Sequence, residues 1–189
     1  MKGNTFPIYG VNYSAGDFYF VYTDNSFISR GIAWFEYRSE IFLVKNKVSH
    51  VGIVIGEGRG ISATSKGIAV EDLNECFDSK HRHIFFREVR DITFEQRTKL
   101  IEFAHDNLGR KYDWPLIAGF ALINSTVGRM LPESMRMFLL KKFNSYERLV
   151  CSEFASEALN FAKVISLKNT LLCPSDLIML DIWKNFKFK

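Results

Sequence analysis

Residues 48–64 read VSHVGIVIGEGRGISAT. Val51, Ile53 and Ile55 alternate with His50, Gly52 and Val54, the period-2 pattern of a strand. Glycines at 56, 58 and 60 supply residues that tolerate the positive φ of a tight turn. Residues 61–64 then continue the run, so the stretch predicts a β-hairpin. A single histidine enters it, on the face that carries Gly52. A neighbour without a side chain leaves room beside the imidazole.

Working outward, AGDFYFVYT (15–23) places a turn at Ala15-Gly16-Asp17 ahead of an aromatic and β-branched run, which predicts a strand. Asp17 is expected to fix that turn. SFISRGIAWFEYRS (26–39) carries Phe27, Ile28, Ile32 and Phe35 at helical spacing and predicts a short helix. GIAVEDL (67–73) and HIFFREV (83–89) predict two more strands. A helix is expected from Thr93, an N-cap with Gln96 three residues on as a capping box. Its apolar stripe is Leu100, Ala104 and Leu108, and Gly109 stops it. PLIAGFALI (115–123) and ESMRMFLLKKF (133–143) are helical and apolar. The second is expected in the core, with a partner face or a membrane-surface helix as alternatives. RLVCSEFASEALNFA (148–162) predicts a helix with Cys151, Ala155, Ala158 and Ala162 on one face. LLCPSDLIML (171–180) predicts a turn at Pro174-Ser175-Asp176 before a last apolar element. Strands first and helices after make the expected class α+β, an antiparallel sheet with helices packed on it.

With 189 residues, one domain is expected over 1–189. Apolar residues make up 47% and charged residues 24%, which is globular composition. The formal charge of +4 is too mild, and its bases too scattered, to indicate nucleic acid. The tail WKNFKFK (183–189) reads as a solvated terminus, with contact to an anionic surface as the alternative. Cys76, Cys151 and Cys173 are too few and too far apart for a disulfide framework or a zinc site, so no metal or cofactor is expected. The N-terminus lacks the apolar core of a signal peptide, and no apolar stretch approaches the roughly 20 residues of a membrane span. The expected compartment is the reducing cytoplasm, with release by another route left open.

The chemistry centres on Cys151. A helix start presents unpaired N–H groups and partial positive charge, which favour the nucleophilic thiolate. A small core cysteine is the competing reading. A thiol nucleophile needs a base. His105 lies on the polar side of its helix, and His81 and His83 flank a polar turn. His50 is the candidate, against the alternative of a structural histidine. A third group normally orients the imidazole. Ser62 and Thr64 share a face of the partner strand, and the hairpin register puts Thr64 at least as near as Ser62. Glu71 is the nearest downstream carboxylate, one strand further on.

The ordered set GDFYFVY, SFISRGIAWF, SHVGIVIGEGRGISA, GIAVEDL, LGRKYDW, CSEFASEAL and CPSDL resembles the circularly permuted papain-like branch of the NlpC-type superfamily. That branch includes the YiiX-like proteins and, more distantly, lecithin:retinol acyltransferase. The likeness runs from about residue 16 to 178. It implies a papain-like core with a cysteine at a helix start, Cys151 as nucleophile and His50 as base. The third polar position, twelve residues after the histidine and often glutamate, falls on Ser62. A hydroxyl there stabilises an imidazolium less than a carboxylate does. The resemblance also puts Tyr112 at the cleft as a substrate-binding or oxyanion residue. Thr64 is the other candidate for a substrate contact. The implied activity is a cysteine amidase or peptidase, with cell-wall peptides among the family's substrates. A thiol acyltransferase or lipid esterase, or a catalytically silent binding module, are the alternatives. The expected partner is a peptide or acyl-bearing substrate, with peripheral membrane or lipid contact as an option. Oligomeric state is not legible.

Overall fold

The structure, a computed structural model, describes residues 4–5, 12–23, 48–74, 82–143, 147–167 and 172–184. The helix expected over 26–39 lies outside them, as do Cys76, His81 and the tail beyond Lys184.

Two short strands, β1 (Asn4–Thr5) and β2 (Asn12–Tyr13), pair antiparallel. The main sheet has five antiparallel strands: β3 (Phe18–Thr23), β4 (His50–Gly56), β5 (Arg59–Thr64), β6 (Gly67–Asp72) and β7 (Arg82–Arg87). Their order across the sheet is β6-β5-β4-β3-β7. The β4–β5 hairpin forms as the glycines predict. Gly56 (φ 105) and Gly58 (φ 72) bracket Glu57, itself at φ 53, and a register shift falls between Val54 and Gly56. Register then fixes a row across four strands: Tyr19 opposite Gly52, Gly52 opposite Ser62, and Ser62 opposite Ala69.

Five helices of the described chain follow: α1 (Phe94–Asp106), α2 (Trp114–Asn124), α3 (Thr126–Met130), α4 (Glu133–Phe143) and α5 (Cys151–Phe161), then a short α6 (Pro174–Ile178). Two-residue strands β8 (Lys111–Tyr112) and β9 (Arg148–Leu149) pair parallel between them. The architecture is α+β, with helices packed on an antiparallel sheet. The core lies where α5 and α1 cover β4 and β5. Phe18, Phe20, Val51, Ile53, Ile61 and Ala63 from the sheet meet Leu100, Ala104, Phe154, Ala158 and Leu159 there. A smaller cluster of Tyr13, Tyr19, Val21, Val54, Leu73, Ile84 and Phe86 forms separately. Val54 is therefore as buried as Ile53, and β4 is covered on both faces.

The turn before β3 is held as Asp17 predicted. Its carboxylate accepts from Ser14 N–H at 2.7 Å and pairs with Arg97 of α1 at 2.7 Å. Helix α1 starts at the Thr93–Gln96 capping box. It ends earlier than expected, at Asp106, so Leu108 lies past the last turn and is exposed while Phe103 fills the stripe. Pro174-Ser175-Asp176 is the first turn of α6, not a free turn. Helix α4 is a core element only in part: Leu140 is buried but Met135 and Phe138 are exposed. Trp183, assigned above to a solvated tail, is core. Its indole N–H donates to Leu177 O at 2.8 Å and its ring packs edge-on against Phe18 and Phe20.

Candidate active site

Cys151 is the first residue of α5 and is buried, as are Ala155, Ala158 and Ala162 on its face. The preceding Val150 is extended (φ −91, ψ 165), and no side chain caps the helix there. The carboxylate of buried Glu153 instead accepts from Val150 N–H at 3.3 Å. The leading amides of α5 and their partial positive charge thus sit at the thiol end.

His50 is the first residue of β4, so the starts of a strand and a helix meet. Its Nε2 lies 2.9 Å from Ser62 Oγ and 3.1 Å from Glu71 Oε2. Ser62 donates its hydroxyl to that same Oε2, and Tyr19 donates to it at 2.5 Å. Cys151 is the other group beside the ring, close enough to act on its charge. With Nε2 turned to Ser62 and Glu71, Nδ1 is the nitrogen left for the thiol. An ionised carboxylate only accepts, so Nε2 carries a proton and Nδ1 is the basic atom.

The electrostatics follow from these contacts. Burial disfavours the imidazolium, but the hydrogen bonds and charges of Cys151 and Glu71 outweigh it and raise His50 to about 10. Burial likewise opposes the Glu71 carboxylate, yet His50, Ser62 and Tyr19 hold it down at about 2. The His50 and Glu71 side chains are 21% and 22% exposed, so the pair faces solvent on one side.

Strand β9 ends two residues before Cys151, and its parallel partner β8 brings Tyr112 to the same place. Tyr112 is buried. Burial raises its phenol, and so does negative charge on Cys151, Asp113 and Glu153. Its ring packs edge-on against Trp114, centroids 5.1 Å apart, and Trp114 is partly exposed. Asp113, fully buried, accepts from Leu116 N–H at 3.0 Å and starts α2.

The structure brings Cys151, His50, Ser62 and Glu71 together and sets Tyr112 beside the cysteine. Thr64 stands apart from the ring. The β4–β5 register, continued, does set it opposite His50. Its hydroxyl, however, donates to Gly67 O at 2.8 Å and accepts from Lys66 N–H at 3.2 Å, closing the β5–β6 turn. Ser62, two residues back along the same strand, is what the ring reaches. His105 is exposed, as its position in the helix implied. Two site residues carried more than the sequence reading assigned them. Glu71 accepts three donors, and Tyr19, by its sequence an ordinary strand aromatic, is one of them. The signal for Glu71 was present: a two-residue turn at Ser65-Lys66 puts Ser62 and Glu71 on one face of neighbouring strands.

Among the described residues, no group of three or more His, Cys, Asp and Glu side chains could hold a metal ion. Nor is any described helix long and apolar enough to cross a membrane. The sequence matches no known protein-family model and no curated protein at a significant level.

Proposed function

We propose that this chain is a cysteine-dependent acyl-transfer hydrolase on a circularly permuted papain-like core, acting on an amide bond. The observation that carries the reading is the placement of one imidazole between a thiol at a helix start and an ionised carboxylate. Structural cysteines need no such arrangement, whereas thiol nucleophiles require it. Glu71 supplies the negative charge that Ser62 lacks, so the resemblance to the family survives the hydroxyl at its third position.

In the proposed reaction, His50 Nδ1 takes the proton of Cys151, and Glu71 stabilises the resulting imidazolium. The thiolate attacks the substrate carbonyl carbon, and the carbonyl oxygen takes up the electron pair as an oxyanion. The N–H of Cys151, uncapped at the helix start, is the donor suited to that oxygen. Collapse of the intermediate breaks the C–N bond. The leaving nitrogen takes the proton from His50, and a thioester remains on Cys151. His50 then draws a proton from water as it attacks the thioester, which frees the acid and restores the thiol. Tyr112 beside Cys151 lines the substrate approach.

One observation favours a second reading, an acyltransferase or lipid esterase. Val127, Met130, Met135 and Phe138 are all at least half exposed on α3 and α4, in the segment joining Tyr112 to Cys151. Such apolar exposure suits a fatty acyl chain. Turnover of matched p-nitroanilide and p-nitrophenyl ester substrates of increasing acyl length, with Cys151→Ala as control, tests both readings. Anilide cleavage that needs Cys151 supports the amidase. Ester cleavage that grows with chain length, without anilide cleavage, replaces it by the lipid reading. Activity retained in Cys151→Ala removes both.

A further inference from the structure

We infer that Tyr19 is a positioning residue for the Cys151–His50 pair, acting across the sheet along a path that Gly52 and Gly60 leave open. The inference rests on the proposed thiol chemistry. Tyr19 lies on β3 and Glu71 on β6, three strands apart, which is about 14 Å at the usual strand spacing. A tyrosine standing upright on the sheet does not span that gap. Its ring must lie along the sheet, transverse to the strands, to meet Glu71 reaching back.

The intervening positions permit this. Gly52 on β4 is the direct partner of Tyr19, and a Cβ there would penetrate the phenol end of its ring. Gly60 on β5 is the direct partner of Glu71, and a Cβ there would strike the same ring. Glycine inside a strand weakens it and marks a close approach; here the approaching group is Tyr19. The ring is fully buried and sits edge-on to His50, centroids 6.2 Å apart. Its hydroxyl then donates to Glu71 Oε2, the same oxygen that serves His50 and Ser62.

Glu71 is a long side chain with partial exposure and several rotamers. The one it adopts presents an oxygen to His50 Nε2. A donor fixed on a buried ring selects that rotamer, so the imidazole keeps Nδ1 toward the thiol. Among the described residues, the groups facing His50 are Glu71 from β6, Ser62 from β5, Tyr19 from β3 and Cys151 from α5. Tyr19 therefore acts on His50 through Glu71, with no part in bond making.

The test uses the full chain with Cys76 and Cys173 as serine, comparing Tyr19→Phe and Gly52→Ala with the parent. Two quantities are read: the rate of Cys151 alkylation by iodoacetamide across pH, and the His50 titration midpoint by NMR. Circular dichroism checks folding. Tyr19→Phe keeps the ring, so it folds; its His50 midpoint drops by about one pH unit, and the step in its labelling profile that tracks that midpoint moves down with it. Gly52→Ala displaces the ring and shifts both in the same direction; if it does not fold, Tyr19→Phe decides alone. A Tyr19→Phe midpoint equal to the parent's, or higher, overturns the inference. A higher one would mean that Tyr19 only draws charge from Glu71. Failure of the thiol chemistry reads differently: the parent then labels as an ordinary thiol and His50→Ala changes nothing, while the midpoint comparison still judges Tyr19.

Discussion

Replacing Glu71 by glutamine keeps the side chain's shape and removes its charge. His50 stands at about 10 against an ordinary 6.5, and that rise corresponds to roughly 5 kcal/mol of preference for the imidazolium. Burial works against the charge, so Cys151 and Glu71 together supply the whole preference. With the Glu71 contact at 3.1 Å and both side chains about four-fifths buried, its part is on the order of 3 kcal/mol. The His50 midpoint in Glu71→Gln should therefore fall by about two pH units. Stability should change in step. A histidine raised in the folded state stabilises fully below its unfolded value of 6.5 and loses that contribution as pH rises through about 10. A carboxyl held low stabilises above its ordinary 4.5 and loses that contribution as pH falls through about 2. The parent should thus be most stable between those two ordinary values, near pH 5.5. There Glu71→Gln should lose about 3 kcal/mol, with a flatter profile on both sides. NMR titration of the imidazole and urea unfolding across pH give both quantities. A midpoint that moves by less than about half a unit, with an unchanged stability profile, would mean that Glu71 does not hold the charge on His50.

Other substitutions separate the neighbours of the site. Ser62→Ala should slow Cys151 alkylation near pH 6 several-fold, while Thr64→Val leaves it unchanged and costs at most about 1 kcal/mol in urea unfolding. Equal effects of the two on labelling would reverse their assignment. Tyr112→Phe should leave the labelling profile intact but lower turnover of any cleaved amide about tenfold, seen as a fall in kcat. Asp17→Ala leaves Arg97 of α1 without its buried partner and should destabilise by about 3 kcal/mol in urea unfolding. Leu159→Ala, at the fully buried centre where α5 meets the sheet, should cost about 3 kcal/mol by the same measurement.

Much of the scaffold is legible in the sequence because its local signals are strong. Glycines at 56 and 58 fix the β4–β5 turn, the Thr93–Gln96 box fixes the start of α1, and the alanine stripe fixes the buried face of α5. The errors occur where tertiary packing decides. Leu108 keeps helical spacing but lies past the helix end, so spacing alone could not bury it. Trp183 is followed by lysine and asparagine, yet Leu177, Phe18 and Phe20 take up its ring. The alternation in β4 puts Val54 on the face of Gly52 and does not say what covers that face, which is the second apolar cluster. The site shows the same division. Cys151 and His50 stand out by residue type and position. Choosing Ser62 over Thr64 requires knowing that the Thr64 hydroxyl is taken by its own turn. Tyr19 has no local mark, because its reach depends on glycines 33 and 41 residues further along the chain.

The proposed chemistry stands on activation of the Cys151 thiol by His50. It is read from the rate of Cys151 alkylation against pH, in the chain with Cys76 and Cys173 as serine and in the same chain carrying His50→Ala. Fast labelling near pH 6 that collapses without His50 is expected, the behaviour of a thiolate paired with an imidazolium. Slow labelling that rises only as an ordinary thiol titrates, and is identical in His50→Ala, would contradict it and leave Cys151 as a core cysteine.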